Sequence, residues 1–228
     1  MNKKLLGTVL FFGRKNCQYS KQIKNFLKKN SSKFYYIESS KIGEQINLRY
    51  NDLTYDYIFC FRSYYILKKN MLKKVKKFAI NFHPGPPEFR GIGSVNYAVY
   101  ENSKFYGCTA HIINEKIDCG KIIDVKRFGI KNIKSISRIL NQTHKLMFKQ
   151  ANTIIKKIIL NNKFIENQIL KNNKLKWSKK IKTLKDLKKF YLIRKNITRK
   201  DFLRKIRATS TTNYKPHIIL HGEKFILE

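Results

Sequence analysis

Negative charge is scarce in this sequence: 14 Asp and Glu face 50 Lys and Arg, leaving a formal net charge of +36. Such a balance suits a polyanionic partner such as nucleic acid. The cations are mostly Lys, however, spread along the whole chain among Asn and Ile with no compact Arg cluster and no interleaved stacking aromatics. An AT-rich coding background accounts for that spread equally well. No apolar run approaches the roughly 20 residues of a membrane helix. The run from Leu5 to Phe12 lacks a small-residue cleavage site and reads as a buried strand rather than a signal peptide. The cysteines, Cys17, Cys60, Cys108 and Cys119, show no CxxC spacing, which excludes a zinc ribbon and a disulfide framework. A reducing, cytoplasmic compartment fits. Gly-x-Gly-x-x-Gly is missing after the first apolar run, so a dinucleotide cofactor has no support. Internal repeats are missing too.

What remains is ordinary globular material. With 42% hydrophobic and 28% charged residues the chain is neither disordered nor membrane-like, and 228 residues hold one domain plus a small appendage. The first half alternates apolar runs with helical stripes, the signature of a mostly parallel sheet wrapped by helices, Rossmann-like in topology. Strands are predicted over Leu5 to Phe12, Lys33 to Glu38, Tyr55 to Phe61, Phe78 to Phe82, Phe105 to Ile113 and Ile122 to Phe128. Ile23, Phe26 and Leu27 mark a helix between the first two, and Ile66 to Lys77 reads as a short Lys-rich helix. Another runs from Ser94 to Glu101 with Ser94 as its cap. A long amphipathic helix with Ile136, Ile139, Leu140, Thr143, Met147, Ala151, Ile154, Ile155 and Ile158 on one face closes the main domain, residues 1–162.

Residues 163–228 read as an extension. Its start, around 162 to 182, has linker composition. Thr183 and Thr198 are candidate N-caps, the second followed by a stripe of Phe202, Leu203 and Ile206. His217 to Leu227 reads as a β-hairpin, whose Ile218, Leu220, Phe225 and Leu227 a small appendage can hardly bury alone, so a homodimer is expected.

Three of the four prolines fall in Asn81-Phe82-His83-Pro84-Gly85-Pro86-Pro87-Glu88-Phe89-Arg90-Gly91-Ile92-Gly93, a stiff loop at the end of a strand. Strand alternation puts Asn81 and His83 on one face, at the carboxyl edge where open α/β sheets hold their ligands. Downstream, the turn Asn114-Glu115-Lys116-Ile117-Asp118-Cys119-Gly120 offers a carboxylate able to orient a histidine. Together these would make an Asn/His/Asp site. A His in a turn is more often a plain hydrogen-bonding residue, though, and an Asp before Gly a turn former.

These segments, with Tyr106-Gly107-Cys108-Thr109-Ala110-His111 and Ile117-Asp118-Cys119-Gly120-Lys121-Ile122-Ile123, strongly resemble the 10-formyltetrahydrofolate-dependent formyltransferases over roughly residues 55 to 160. That family includes glycinamide ribonucleotide, methionyl-tRNA and sugar N-formyltransferases. The Gly-Pro-Pro-Glu-Phe-Arg-Gly loop and the C-terminal hairpin look most like the sugar enzymes. The resemblance implies Asn81, His83 and Asp118 as catalytic residues, no metal, and formyl transfer from 10-formyltetrahydrofolate to the primary amine of a nucleotide-linked amino sugar, of the 4-amino-4,6-dideoxyhexose type used in surface polysaccharides. Alternatives are methionyl-tRNA, which the basic charge favours, and phosphoribosylglycinamide. The resemblance also implies a pterin site at Tyr64, Ile66, Leu67, Asn114, Glu115 and Ile117, and an acceptor side at Glu88, Asn96 and Tyr97. Asp118 is expected to raise the His83 pKa. His144 and His111 read as packing residues, the latter with a substrate contact as its alternative. Trp177 reads as a core anchor or a stacking residue. His217 and His221 have the spacing of metal ligands but no third partner.

Overall fold

A computed structural model describes residues 5–131, 133, 135–209 and 215–227. In chain order the main unit runs β1 (Thr8–Arg14), α1 (Gln18–Lys29), β2 (Lys33–Ser39), β3 (Tyr55–Phe61), α2 (Lys69–Leu72), β4 (Val75–His83), α3 (Ser94–Tyr100), β5 (Phe105–Ile112), β6 (Ile122–Gly129), α4 (Ile136–Leu160) and α5 (Phe164–Lys171). The extension adds α6 (Leu184–Tyr191), β7 (Leu192–Ile193), α7 (Arg199–Thr209), β8 (His217–Leu220) and β9 (Glu223–Ile226). The six-stranded sheet has the order β2-β1-β3-β4-β5-β6. The first four strands are parallel, β5 runs antiparallel to them, and β6, antiparallel to β5, returns to their direction, so the fold is the expected mostly parallel α/β sheet.

One face of β1, β3 and β4 packs Val9, Phe11, Phe59, Phe61 and Phe82 against Met147, Ala151, Ile154 and Ile158 of α4. The opposite face packs Leu10, Phe12, Ile58 and Cys60 with Leu67 and Met71. Strands buried on both faces read as continuous apolar runs, which is why the sequence located them.

Several boundaries differ from expectation for local reasons. The first strand starts at Thr8, because Gly7 turns with φ +78° and a Cβ there would stand 2.3 Å from the Asp56 carboxylate that accepts the Thr8 amide. The Lys-rich helix shrinks to Lys69–Leu72, since Val75 already pairs with Tyr55 and strand pairing overrides helix propensity. Gly93, not Ser94, is the N-cap of α3; the Ser94 hydroxyl instead hydrogen-bonds the Tyr106 phenol at 2.6 Å. The linker expected over 162 to 182 contains α5, whose Ile165 is buried in the main core.

The caps expected in the extension are present. Thr183 and Asp186 make a reciprocal capping box on α6, and the Asp201 amide donates to the Thr198 hydroxyl. Of the apolar stripe expected on α7, Phe202 and Ile206 are half-buried while Leu203 is 56% exposed, and Ala208 is buried beside them. Polar contacts add to the docking on α3. Arg204 donates to the Tyr100 carbonyl through Nε and Nη2 at 3.1 and 2.8 Å, and Arg207 pairs with the Asn102 side chain. These cations satisfy carbonyls at the C-terminal end of a helix, where the dipole favours them. The hairpin turns at His221 and Gly222, with φ of 50° and 85°, and β7 pairs parallel to β8 to make it three-stranded.

Candidate active site

Asn81 and His83 end β4 on one face, beside β5, whose register sets Asn81 opposite His111 and His83 opposite Thr109. After His83 the chain cannot wander. The Pro84 carbonyl accepts from the Tyr106 hydroxyl at 2.7 Å, the Gly85 carbonyl accepts from the Thr109 hydroxyl at 2.8 Å, and the Phe89 amide closes a turn on the Pro86 carbonyl. Proline supplies fixed φ and β5 supplies the anchors.

The carboxylate comes from the turn between β5 and β6. Asp118 sits there with φ 46°, a conformation costly for a residue with a Cβ. Two features hold it. Gly120 packs so closely on β5 that a Cβ would stand 1.8 Å from the Ile112 carbonyl oxygen, and Arg90 donates to the Ile117 carbonyl at 3.2 and 2.6 Å. A register shift at Ala110/His111 re-aims the end of β5 beside this turn.

The three side chains converge. Asp118 Oδ2 lies 3.4 Å from His83 Nδ1, and Oδ1 lies 3.5 Å from His111 Nε2, with all three residues buried. His111 Nδ1 is 2.8 Å from the Ile112 carbonyl, to which it donates, so in the neutral ring Nε2 accepts from Asn81 Nδ2 at 3.1 Å. His111 thus stands inside the cluster rather than behind it. The signal for it was available: the strand after the proline loop pairs with the Asn-x-His strand, and His111 alternates with Thr109.

Electrostatics separates the roles. Burial alone would raise the Asp118 pKa, but His83, His111 and Arg90 outweigh it and hold the carboxyl down to about 2. Burial pushes His83 below its ordinary value, and the opposing pull of Asp118 does not overcome it. Asp118 thus pulls the imidazole pKa up as expected, but burial outweighs it, and at neutral pH the site holds a carboxylate and a neutral His83. Nδ1–H faces Asp118 and Nε2 keeps a lone pair. That atom is buried with no hydrogen-bond partner, an arrangement that native structures seldom tolerate without a use for it. Gly85 lies beside it, where a Cβ would stand 2.8 Å from Nε2.

The other predicted residues fall into two groups. The loops carrying the pterin candidates are tied together by the Lys69–Glu115 ion pair at 3.2 Å. Ile66 and Ile117 are exposed on them, Leu67 is buried in the core, the Asn114 side chain accepts from the Cys119 thiol, and the Tyr64 ring is covered by the Arg14 guanidinium at 3.2 Å. On the acceptor side the candidates separate. Glu88 is exposed and paired with Arg127 at 2.5 Å. Asn96 is buried with its amide donated to the Tyr191 hydroxyl and the Ala208 carbonyl, at 3.0 and 2.7 Å, so it faces the extension. Tyr97 is buried against Phe190, with ring centroids 4.8 Å apart. Among the described residues no group of three His, Cys, Asp or Glu is arranged to hold a metal ion, and no helix is long and apolar enough to cross a membrane.

Fold and site define an open α/β sheet in which an amide, two imidazoles and a carboxylate meet at the carboxyl edge of the fourth strand. The chain belongs to the formyl transferase family, whose sequence signature matches residues 12–155. It is 36% identical to phosphoribosylglycinamide formyltransferase of Bacillus subtilis over 86 residues, covering 37% of this chain and 44% of that protein. It is 32% identical to the mitochondrial formyltetrahydrofolate deformylase 2 of Arabidopsis thaliana over 106 residues, covering 45% of this chain and 32% of that protein. The chain thus spans less than half the length of either relative. In structure it is similar to a 4-N formyltransferase from Francisella tularensis, with a TM-score of 0.73 at 20% identity over 96% of both chains. An N-formyltransferase from Helicobacter canadensis, solved with folinic acid and dTDP-3-aminofucose, gives a TM-score of 0.67 at 18% identity over 94% of this chain and 84% of that one.

Proposed function

We propose that this protein transfers a formyl group from 10-formyltetrahydrofolate to the primary amine of a nucleotide-linked amino sugar. The observation that carries the reaction class is the buried Asn81/His83/His111/Asp118 cluster with its unpartnered His83 Nε2. Bound 10-formyltetrahydrofolate supplies an activated formyl carbonyl. Exposed Ile66 and Ile117, on loops joined by Lys69 and Glu115, give an apolar ring a place to lie, and the backbone around Leu67 and Asn114 offers it hydrogen bonds. The Tyr64 ring, already stacked by Arg14, contributes through its backbone.

His111 holds one N–H of the Asn81 amide; the other is free to donate to a carbonyl oxygen gaining negative charge. His83 Nε2 accepts the proton released by the attacking amine and returns it to the departing nitrogen. Asp118 keeps Nδ1–H oriented and stabilises the imidazolium formed in between. A neutral resting His83 suits that cycle better than a protonated one.

For the acceptor, support comes from the extension. Structural likeness to the 4-N formyltransferase runs through it, covering 96% of both chains. Net charge of +36 favours methionyl-tRNA as the second reading, although a sugar diphosphate is also anionic. We place the enzyme in the cytoplasm, in surface-polysaccharide synthesis, as a homodimer. Phe225 and Ile226 on the outer strand β9 are 52% and 55% exposed, and an unpaired apolar edge invites a second copy. Parallel assays of dTDP- and GDP-linked 4-amino sugars and of charged initiator tRNA, each with 10-formyltetrahydrofolate, decide the acceptor. Efficient formylation of the tRNA with no activity on the sugars would make the second reading correct.

A further inference from the structure

The extension reaches the reacting groups at one place. Between α5 and α6 the chain crosses the two catalytic turns as a strap from Trp177 to Lys182, bonding the Asp118 turn at its first residue and the proline loop from Ser178 onward. Trp177 Nε1 donates to the Gly120 carbonyl at 2.8 Å, two residues past Asp118. The Ser178 amide donates to the Pro87 carbonyl at 2.9 Å. Lys182 donates to the Arg90 carbonyl at 3.1 Å and accepts from the Ile92 amide at 2.8 Å, a parallel bridge to the proline loop. Gly91 makes the bridge possible: φ is +89° and a Cβ would stand 2.3 Å from the Lys182 carbonyl oxygen. The indole meets both imidazoles edge-on, with centroids 5.0 Å from His111 and 5.9 Å from His83.

We propose that Trp177 is a positioning residue for formyl transfer: its N–H fixes the Asp118 turn, its ring shields His83 and His111 from water, and the strap clips that turn to the His83 loop. The transfer step rests on the function proposed above; the geometry does not. Two turns separated by a whole strand must keep a carboxylate within hydrogen-bonding reach of an imidazole; Arg90 makes one direct link between them, to the Ile117 carbonyl, and the strap makes a second. The strap bonds to both.

The groups facing His83 are Asp118 from the turn, His111 from β5 and the Phe89 carbonyl from its own loop, with Arg90 acting on Asp118. Trp177 is the uncharged member of that surround. Removing its ring admits water without changing any charge, so the burial that depresses His83 relaxes while the pull of Asp118 stays. Protonation of His83 then moves to higher pH.

The test follows the His83 imidazole C–H resonances by NMR against pH, assigned with His83→Ala, in the wild type, Trp177→Phe and Trp177→Ala, without substrate. Trp177→Phe keeps the ring and loses the N–H. It should titrate near the wild type and, in formyl-transfer assays, lose about 10-fold in kcat with little change in KM, the value of about one hydrogen bond. Trp177→Ala should move the His83 midpoint up towards 6.5 and lower kcat further. Gly91→Ala, which displaces the other end of the strap, should move both readings the same way. An unchanged His83 titration in natively folded Trp177→Ala would overturn the proposal even if turnover fell. If Trp177→Ala does not fold, unchanged titration and kcat in both Trp177→Phe and Gly91→Ala would overturn it. A wild type that formylates nothing, with His83 still shifted by the variants, would sink the function proposed above and leave the positioning intact.

Discussion

The two turns beside His83 and the C-terminal extension are held by different means. Residues 84–93 and 114–121 are stiffened by proline, glycine and side chains of β5, and His83 and Asp118, which they position, are buried. The extension is Lys-rich, buries little beyond Leu187, Tyr191, Ile193, Ala208 and Thr209, and clings to α3 through Arg204, Arg207 and the Asn96 amide. The sheet is thus held by apolar burial on both faces, whereas the appendage adds polar contacts to a small apolar patch in which Phe190 and Ala208 meet α3. A fault in the turns should therefore appear as lost chemistry, and a fault at the α3 junction as lost stability.

The largest effect follows from the turns. His83→Ala and Asp118→Ala should each lower turnover at least ~100-fold with the circular-dichroism spectrum unchanged, because each removes a proton acceptor or its stabilising charge. Normal rates in either variant would remove both residues from the chemistry. At the junction, Asn96→Ala removes the buried amide that donates to the Tyr191 hydroxyl and the Ala208 carbonyl. A loss of about 2 kcal/mol in denaturant unfolding is expected. A loss as small as that of Leu203→Ala, at an exposed α7 position, would mean that polar contacts do not hold the extension.

A pH effect concerns His144 on α4. Burial, with Arg62 and Arg14 adding to it, lowers its pKa to about 3. The folded state therefore disfavours the proton that the unfolded chain takes up near pH 6.5. The resulting stability is complete above pH 6.5 and is lost as the pH falls from there towards 3, with a slope of at most about 1.4 kcal/mol per pH unit. Unfolding measured at several pH values should show a flatter dependence in His144→Gln; an equally steep one would assign the slope elsewhere.

Much of this was legible in the sequence. Apolar runs located all six strands of the main sheet, and Asn81, His83 and Asp118 could be picked out because strand alternation and a turn before glycine are local signals. Helix caps at Thr183 and Thr198 were equally local. What escaped was set by distant pairing. His111 joins the cluster through the register of β5 on β4, Trp177 reaches Gly120 across 57 positions, and Asn96 turns away from the site to hold Ala208 across 112. Burial also decides the His83 shift, and burial is a property of the whole fold.

Two of the chain's relatives, a formyltransferase and a formyltetrahydrofolate deformylase, pose the decisive question, since a site that activates a formyl group can pass it to an amine or to water. The most direct measurement is the rate of tetrahydrofolate release from 10-formyltetrahydrofolate with and without a dTDP-linked 4-amino sugar. Release that depends on the amine, matches the formyl-sugar formed and vanishes in His83→Ala is expected. Release at the same rate without any amine would identify a hydrolase and contradict the transfer proposed for this site.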